Sequence, residues 1–464
     1  MAISIKFLGG IRTVTGSSHL VTADRSQVLL DAGLFQGHRD ESYKINTTFR
    51  YNPHKLNALI LSHAHIDHSG NIPVVLKNGM RCKIYTTHAT RDLCKLMLED
   101  SGKIQEEDIK YVNKINKRMG LPLRKPLYTR REAARANKKF HPLSYGERFC
   151  VARNIFARLH DAGHILGSSI IVLDIKDQDR VIRLGYAVDL GRKNLPLLNA
   201  PQVPAGLDYL IIETTYGARF HAPAEETKFK FRDAIKRTVE RGGKVLIPSF
   251  TLERAQEVLY FLNELLKEKV IPAIPIYVDS PLATDITEVF KTHINYLNPQ
   301  IRSAIGAGNS PFEFVNLRFI REQNESKRLN TDKRPMIIIA GNGMCEAGRI
   351  LHHLKNNIED SRNTIIIVGY MAKDTLGKRI VERMPIVRIF GVEYELNAEV
   401  EVINSISAHA DKNELLDFIA ACLPLKKVFL VHGDMDQSQA LLDALSERNI
   451  NAVIPEKEEE VFLD

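Results

Sequence analysis

The stretch Leu56–Pro73, LNALILSHAHIDHSGNIP, runs an apolar segment, Leu56 to Leu61, directly into His63, His65, Asp67 and His68. A short continuous apolar run ended by polar residues reads as a strand buried on both faces. The loop it feeds carries four imidazole or carboxylate groups within six residues. His63 and His65, two apart, point to the same side of an extended chain, and Asp67 with His68 adds oxygen and nitrogen ligands just beyond. A solvated polar loop rarely collects such a set. The stretch predicts a rigid strand that delivers ligands for two metal ions.

Working outward, Ile3 to Leu30 is a series of short β-prone runs broken by Gly9-Gly10 and Gly16-Ser17-Ser18, which predicts hairpins opening an antiparallel or mixed sheet. In VLLDAGLFQG, Asp31 ends an apolar strand, where it serves either as an acceptor orienting a ligand histidine or as an ordinary turn aspartate. After the ligand loop a helix is expected near Arg91 to Leu98. Eleven Lys or Arg then fall between Lys110 and Lys139 against one acid, Glu132. That run is a solvated helical face or a track for phosphates.

FARLHDAGHILGSSIIVLDI places His160 and His164 between two β-like runs, and Gly163 and Gly167 permit a tight turn around His164. His164 is the expected ligand and His160 its competitor. In VIRLGYAVDLGRK, Asp189 ends another apolar run, where a carboxylate could bridge two metals. The texture then changes. From LDYLIIETTYG, which ends a strand at Glu213, strands KVLIPSF, IPIYVDS, MIIIAGNGM and TIIIVGY alternate with helices over Glu225 to Arg241, Leu252 to Lys267 and Arg349 to Lys355. That alternation indicates a parallel α/β sheet. The glycine-rich turn in IIIAGNGMCEAGRIL can offer backbone N–H groups to a phosphate, and Arg321 to Arg334 reads as an exposed loop. The last segment holds VINSISAHAD, with Ser407, His409 and Asp411, a helix from Asn413 to Cys422, and KKVFLVHGD ending at His432. A helix over Gln437 to Arg448 and a solvated acidic tail, Glu456 to Glu460, close the chain.

A chain of 464 residues, 44% of them apolar, is expected to form two or three domains with ample core. Its formal charge of +8 and pI near 9.0 suit a polyanionic partner without requiring one. The five cysteines are widely spaced and form no C-x-x-C, so neither a thiolate zinc site nor a disulfide framework is indicated, and a reducing, cytoplasmic setting is expected. The N-terminus has no signal-like apolar core and no stretch reaches membrane-spanning length.

Together His63, His65, Asp67, His68, His164, Asp189 and His432 make a set suited to a dinuclear centre. One division puts His63, His65 and His164 on one ion and Asp67, His68 and His432 on the other, with Asp189 bridging. Two ions about 3.5–4 Å apart hold a bridging hydroxide at neutral pH and offset the charge that builds on an attacked phosphoryl or carbonyl centre. Hydrolysis is the indicated reaction. Zinc suits the histidine-rich set, and the carboxylates leave manganese open.

In this order the residues resemble the metallo-β-lactamase superfamily, and within it the β-CASP branch of nucleases. H-x-H-x-D-H at His63 to His68 is similar to the superfamily signature, and His164 and Asp189 to its later ligand motifs. IIETTYG with Glu213, SAHAD with His409 and LVHGD with His432 resemble the branch's three private motifs. PSFTLERAQE, DSPLA, GNGMCEAGRILHHL and GYMAKDTLGKRI resemble its inserted domain, so the likeness covers nearly the whole chain. One departure is that Val188-Asp189 stands where the family usually has Gly-Asp, and Leu190-Gly191-Arg192 follows.

The resemblance implies an αβ/βα sandwich of two sheets over residues 1–208 and 398–464, with a parallel-sheet β-CASP domain inserted over 209–397 and the active site in the cleft between them. It implies a metal-dependent ribonuclease acting on single-stranded RNA by endonucleolytic or 5′-exonucleolytic cutting, because the third motif carries histidine, as in RNA-cleaving members. By this likeness His409 is the general acid, held by Glu213, Asp67 is both ligand and catalytic residue, and Asp31 is a support. Two zinc ions are the implied cofactors, and single-stranded RNA the partner. Whether the chain is a homodimer or joins an RNA-processing complex stays open. Two other readings are a thioester or lactone hydrolase of the same superfamily, against which the inserted domain argues, and a non-catalytic RNA-binding subunit, against which the complete ligand set argues.

Overall fold

The computed structural model describes residues 2–178, 180–221, 224–369 and 371–464, which form two compact units. One comprises Met1–Leu195, Asn199–Phe220 and Ala408–Asp464, and the other Pro196–Leu198 and His221–Ser407. Tyr370, the last residue of TIIIVGY, lies outside the described residues.

The first unit is built on two seven-stranded sheets. In one, Ile3–Gly9, Ser18–Ala23 and Ser26–Leu30 form antiparallel hairpins, and Ala58–Ile60, Lys83–Thr87 and Phe140–Leu143 continue in parallel. In the other, Arg148–Ala152, Ile155–Asp161, Ser169–Asp177 and Arg180–Ala187 run antiparallel, then Tyr209–Glu213 and Lys427–Val431 pair in parallel. Their inner faces share one core, in which Ile5, Phe7, Val28 and Ile60 meet Ile171, Leu173, Leu184, Ile211 and Phe429. Helices Lys412–Ala421 and Met435–Ser446 cover the outside of the second sheet through Leu416, Ile419, Leu441 and Leu445. Leu59 and Ile60 of the ligand strand are wholly buried, and burial of each stabilises the fold by about 1.5–3 kcal/mol. This is the αβ/βα sandwich of the metallo-β-lactamase fold.

The second unit centres on a six-stranded sheet in which every pairing is parallel. Its strands bury both faces, as all-parallel sheets must. Val245 and Ile247 meet Phe231, Val258 and Leu262 on one side, while Leu246 meets Ile350, Leu354 and Ile380 on the other.

Several sequence expectations change. The strand Tyr209–Glu213, assigned beyond the boundary at 208, hydrogen-bonds between Arg180–Ala187 and Lys427–Val431 and so belongs to the first unit. The helix expected near Arg91 to Leu98 is His88–Arg118, because residues past Leu98 are good helix formers whose polar, solvated faces give no apolar period. Residues read as an exposed loop contain the helix Gln323–Thr331, anchored by buried Ser326 and Leu329. The acidic tail is not free: Glu460–Leu463 pairs with Ile3–Gly9, and Glu456 and Glu458 bond Arg12 and Arg50.

Candidate metal centre

The seven metal-ligand candidates and Glu213 lie at or just past the C-terminal ends of strands of the first unit. Ala58–Ile60 leads to the loop from His63 to His68, Ile155–Asp161 to His164, Arg180–Ala187 to Asp189, and Lys427–Val431 to His432, while Glu213 ends its own strand. Rigid strand ends aim these side chains at a common volume. Asp31, Asp189 and His432 have φ of 58°, 53° and 48°. Each such left-handed non-glycine residue costs about 1–3 kcal/mol, and strain of this kind gathers where a side chain must be aimed. Two glycines let the loops close. A Cβ at Gly33 would lie 1.6 Å from the Asp67 carbonyl oxygen, and one at Gly191 would lie 1.9 Å from that of Gly163. Val188, where the family pattern has glycine, turns into the sandwich core.

His63, His65, His164 and Asp189 offer ligand atoms within 4.8 Å of one another, and so do Asp67, His68 and His432. His63 Nε2 is 3.1 Å from His65 Nδ1, and His164 Nε2 is 3.3 Å from it. Asp189 Oδ2 lies 3.2 Å from His63 Nε2 and 3.3 Å from His164 Nε2. Its Oδ1 lies 2.9 Å from His432 Nδ1 and 3.4 Å from His68 Nε2. His68 Nε2 and His432 Nε2 are 3.1 Å apart, and Asp67 Oδ2 is 3.5 Å from His432 Nε2. Nitrogens and oxygens bound to zinc at 2.0–2.1 Å in a tetrahedron are spaced about 3.3 Å. The donor set therefore fits metal ions. Asp189 is only 1% exposed, so its two carboxylate oxygens face these imidazoles rather than solvent. His160, the competitor of His164, is the penultimate residue of the strand Ile155–Asp161 and joins neither group.

The electrostatics ask for a cation. Burial opposes charge on His432, yet Asp189 and Asp67 push it up to about 10. Burial likewise opposes charge on His68, but Asp189 and Asp31 hold it well above the ordinary histidine value. His63 is lowered to about 4 by burial and by His68, and His164 is lowered by burial and by His409. For Asp189, burial alone would raise the carboxyl, but His432 and His68 hold it well below its usual range. Protons on His68 and His432 thus offset the carboxylates, and a metal ion would displace them. His63, His164, Asp189 and His432 are at most 2% exposed, whereas the side chains of His65 and Asp67 are 29% and 27% exposed, so solvent reaches the centre on their side.

Asp31 is an acceptor with four donors rather than a simple turn residue. Its Oδ1 takes the Ser62 N–H, and its Oδ2 takes the Ser62 and Tyr186 hydroxyls and faces His68 Nδ1 at 2.7 Å. That contact turns His68 Nε2 toward the centre. Sequence reading missed Ser62 and Tyr186, and also His19, a wholly buried ring between Phe7 and Tyr186. His19 and Tyr186 are ordinary buried strand residues and Ser62 lies two residues past a strand end, so only the adjacency of strands could have found them. His409 Nδ1 lies 3.1 and 3.0 Å from the two Glu213 oxygens, and Glu213 Oε1 also accepts the Leu190 N–H. An isolated bridge, Gly191 to His409, and the bond from Ala410 N to Leu190 O fix this residue beside the Asp189 turn.

Comparison with known proteins agrees with this architecture. Residues 20–204 match the metallo-beta-lactamase superfamily domain, 255–380 the Beta-Casp domain, and 393–455 the Zn-dependent metallo-hydrolase RNA specificity domain. The chain is 36% identical over 433 residues to "Ribonuclease TTHA0252" of Thermus thermophilus, covering 93% of this chain and 94% of that protein. It is 31% identical over 443 residues to an "RNase J-like protein" of Methanocaldococcus jannaschii, covering 94% of each. It is 31% identical over 449 residues to "Transcription termination factor FttA" of Methanosarcina mazei, covering 93% of this chain and 67% of that one. A crystal structure of a protein of unknown function from Enterococcus faecalis matches over the full length of both chains at a TM-score of 0.58 and 14% identity, a likeness of fold alone.

Proposed function

The chain belongs to the β-CASP branch of the metallo-β-lactamase superfamily, and on that footing we propose that it is a metal-dependent ribonuclease that hydrolyses phosphodiester bonds of single-stranded RNA. The observation that carries this reading is the placement of His409, backed by Glu213, beside a metal-fitting cluster of seven donors. The nuclease core in this reading comprises both sheets of the first unit, and the parallel-sheet unit is its β-CASP insertion.

His63, His65, His164 and Asp189 would hold one ion and Asp67, His68 and His432 the other, with Asp189 shared, and zinc suits the donors best. When bound, such ions activate water and neutralise charge on the phosphoryl group. The chain's own groups do the rest. Burial disfavours charge on His409, but Glu213 and Asp189 raise its pKa above the ordinary value and so favour the protonated imidazole. With Nδ1 engaged by Glu213, Nε2 delivers a proton to the leaving ribose oxygen. Asp31 keeps His68 in one tautomer and one rotation. Hydrolysis of small thioesters or lactones is disfavoured, since the chain matches an RNA specificity domain and a Beta-Casp domain that such substrates do not require.

Chelator-treated protein should not cut RNA, and activity should return in proportion to added zinc until two equivalents are bound. Saturation at one equivalent would contradict the shared Asp189. Manganese added in the same titration decides which ion serves better.

Of the basic residues between Lys110 and Lys139, Lys110, Lys114, Lys117 and Arg118 lie more than 30 Å along the helix that starts at His88, at about 1.5 Å rise per residue, whereas Arg130 and Lys139 fold back to Glu99 and Arg81. Arg130 pairs with Glu99, and Arg124 with Asp40, while Arg131 and Lys138 are exposed. Arg131→Glu with Lys138→Glu should weaken RNA binding and lower its log–log salt slope by about 2, one per lost phosphate contact. Arg131 lies in the first turn of the helix Arg130–Ala136, where an acid is tolerated, so the change should not disturb the fold. An unchanged slope would make the run a solvated face.

A further inference from the structure

The bond between His409 and Glu213 fixes only part of the general acid's position. Both Glu213 oxygens lie at His409 Nδ1, at 3.1 and 3.0 Å, so one edge of the ring is held. The last side-chain torsion of histidine is broad, and a bond at one nitrogen leaves the plane of the ring free to tilt about it. A tilt turns Nε2 away from the leaving oxygen. Delivery of the proton therefore needs a second contact, on the face of the imidazole.

Among the described residues, three rings stand beside His409: His164 at 4.5 Å between centroids, Tyr216 at 6.1 Å and His432 at 6.5 Å. His164 and His432 belong to the two donor clusters, so the ions they hold set their orientation. Tyr216 belongs to neither. Its ring lies within 30° of parallel to His409, at a separation where aromatic pairs attract. The Arg219 guanidinium lies 6.0 Å from the centre of the same ring, at the outer limit of a cation–π contact.

The turn that carries Tyr216 is rigid. It follows the strand Tyr209–Glu213 directly, and the Thr214 N–H and the Thr215 hydroxyl both donate to the His432 carbonyl, at 3.2 and 3.0 Å. A Cβ at Gly217 would lie 2.4 Å from the Gln437 carbonyl oxygen, so only glycine lets the turn sit this close to the helix Met435–Ser446. The Ala218 N–H donates to Gln437 Oε1, the Arg219 N–H to the Tyr216 carbonyl, and the Lys412 N–H to the Arg219 carbonyl. Glu213 and Tyr216, three residues apart, thus reach His409 at its edge and at its face.

We propose that Tyr216 is a positioning residue for the general acid. Stacked on His409, it fixes the plane of the imidazole so that Nε2 faces the leaving ribose oxygen, which takes the Nε2 proton as its bond to phosphorus breaks. The inference rests on the ribonuclease reading and on His409 as the proton donor. What Tyr216 contributes is a flat ring, and it matters only where a proton has to be delivered.

Steady-state hydrolysis by the zinc-loaded full-length protein tests this, with RNA and with a nitrophenyl phosphodiester whose leaving group departs unprotonated. Tyr216→Leu, which keeps apolar bulk without a ring, should lower kcat on RNA about tenfold to a hundredfold, the scale of a slight misplacement of a reacting group, and leave KM little changed. The rate on the nitrophenyl ester should fall much less. Tyr216→Phe should keep most of the RNA rate, and bound ion per chain should match the wild type in both variants. In a His409→Ala background, Tyr216→Leu should cost nothing more on RNA, because no imidazole is left to orient. Equal loss on both substrates, loss of ion, a raised KM at constant kcat, a Phe variant as slow as the Leu variant, or losses that multiply in the double variant would overturn the positioning role. The reading beneath it fails separately. A wild-type protein that cuts no RNA, or a His409→Ala variant that loses equally on both substrates, refutes the general acid itself, whereas a His409→Ala loss confined to RNA with Tyr216→Leu at the wild-type rate refutes the role of Tyr216 alone.

Discussion

Replacing Asp189 by alanine is expected to lower RNA cleavage by about 10³-fold or more, the scale on which a buried electrostatic group acts. One carboxylate oxygen faces His63 and His164, and the other faces His68 and His432. No other described side chain approaches both groups of donors in this way, so the substitution should cost metal at both positions, read as bound ion per chain. The fold should survive. Val188 and Leu190, on either side, carry the packing of that turn into the two hydrophobic clusters, and Asp189 itself fills little core volume. An Asp189→Ala protein that keeps its rate or both ions would place the metal centre elsewhere.

His409→Ala should behave differently. It should keep its full metal content, because His409 is not among the donors that cluster with His63 or with His68, and should lose about 10²–10⁴-fold in turnover, the range for a positioned general acid. A phosphodiester with a nitrophenolate leaving group needs no proton on departure, so its hydrolysis should fall much less than that of RNA. Equal losses on both substrates, or loss of metal, would assign His409 a role in holding the ions. The contrast between the two variants separates ligand from proton donor without relying on either rate alone.

What could be read from the residues divides by distance along the chain. The first ligand loop is local: His63, His65, Asp67 and His68 follow a strand that any hydrophobic profile shows, and extended geometry sets which side chains share a face. Asp189 and His432 could be picked out because each ends an apolar run, and His164 because it sits in a glycine-flanked turn between two β-like runs. The partnership of His409 with Glu213, 196 residues apart, has no local signal and came only from the family likeness. Tyr186 and Ser62 around Asp31 left no mark at all, since their hydroxyls are defined by which strands are neighbours. The same limit explains the strand Tyr209–Glu213, whose apolar run suits a parallel sheet in either unit and is placed only by its partners. For Glu460–Leu463 the acidic flank masked a short edge strand, and pairing with Ile3–Gly9 outweighed composition. For the His88–Arg118 helix, length outran the periodic apolar face, and intrinsic helix propensity carried it into solvent.

The strain at Asp31, Asp189 and His432 belongs to the same account. All three turn left-handed within two residues of the end of a strand, so pairing within the sheets holds each residue where its backbone would not otherwise rest. The sheets supply the rigidity, the turns supply the aim, and the carboxylates set a charge that only a cation or trapped protons can balance.

The central claim is hydrolysis of RNA at this metal centre, and the most direct test is to incubate an end-labelled, unstructured RNA, beside a DNA of the same sequence, with zinc-loaded protein and with its Asp189→Ala variant. The account predicts that the RNA alone is cut and that the variant is silent, with the ladder of products distinguishing internal cuts from digestion at the 5′ end. RNA left intact by the zinc-loaded protein, or cut equally by the variant, would contradict it.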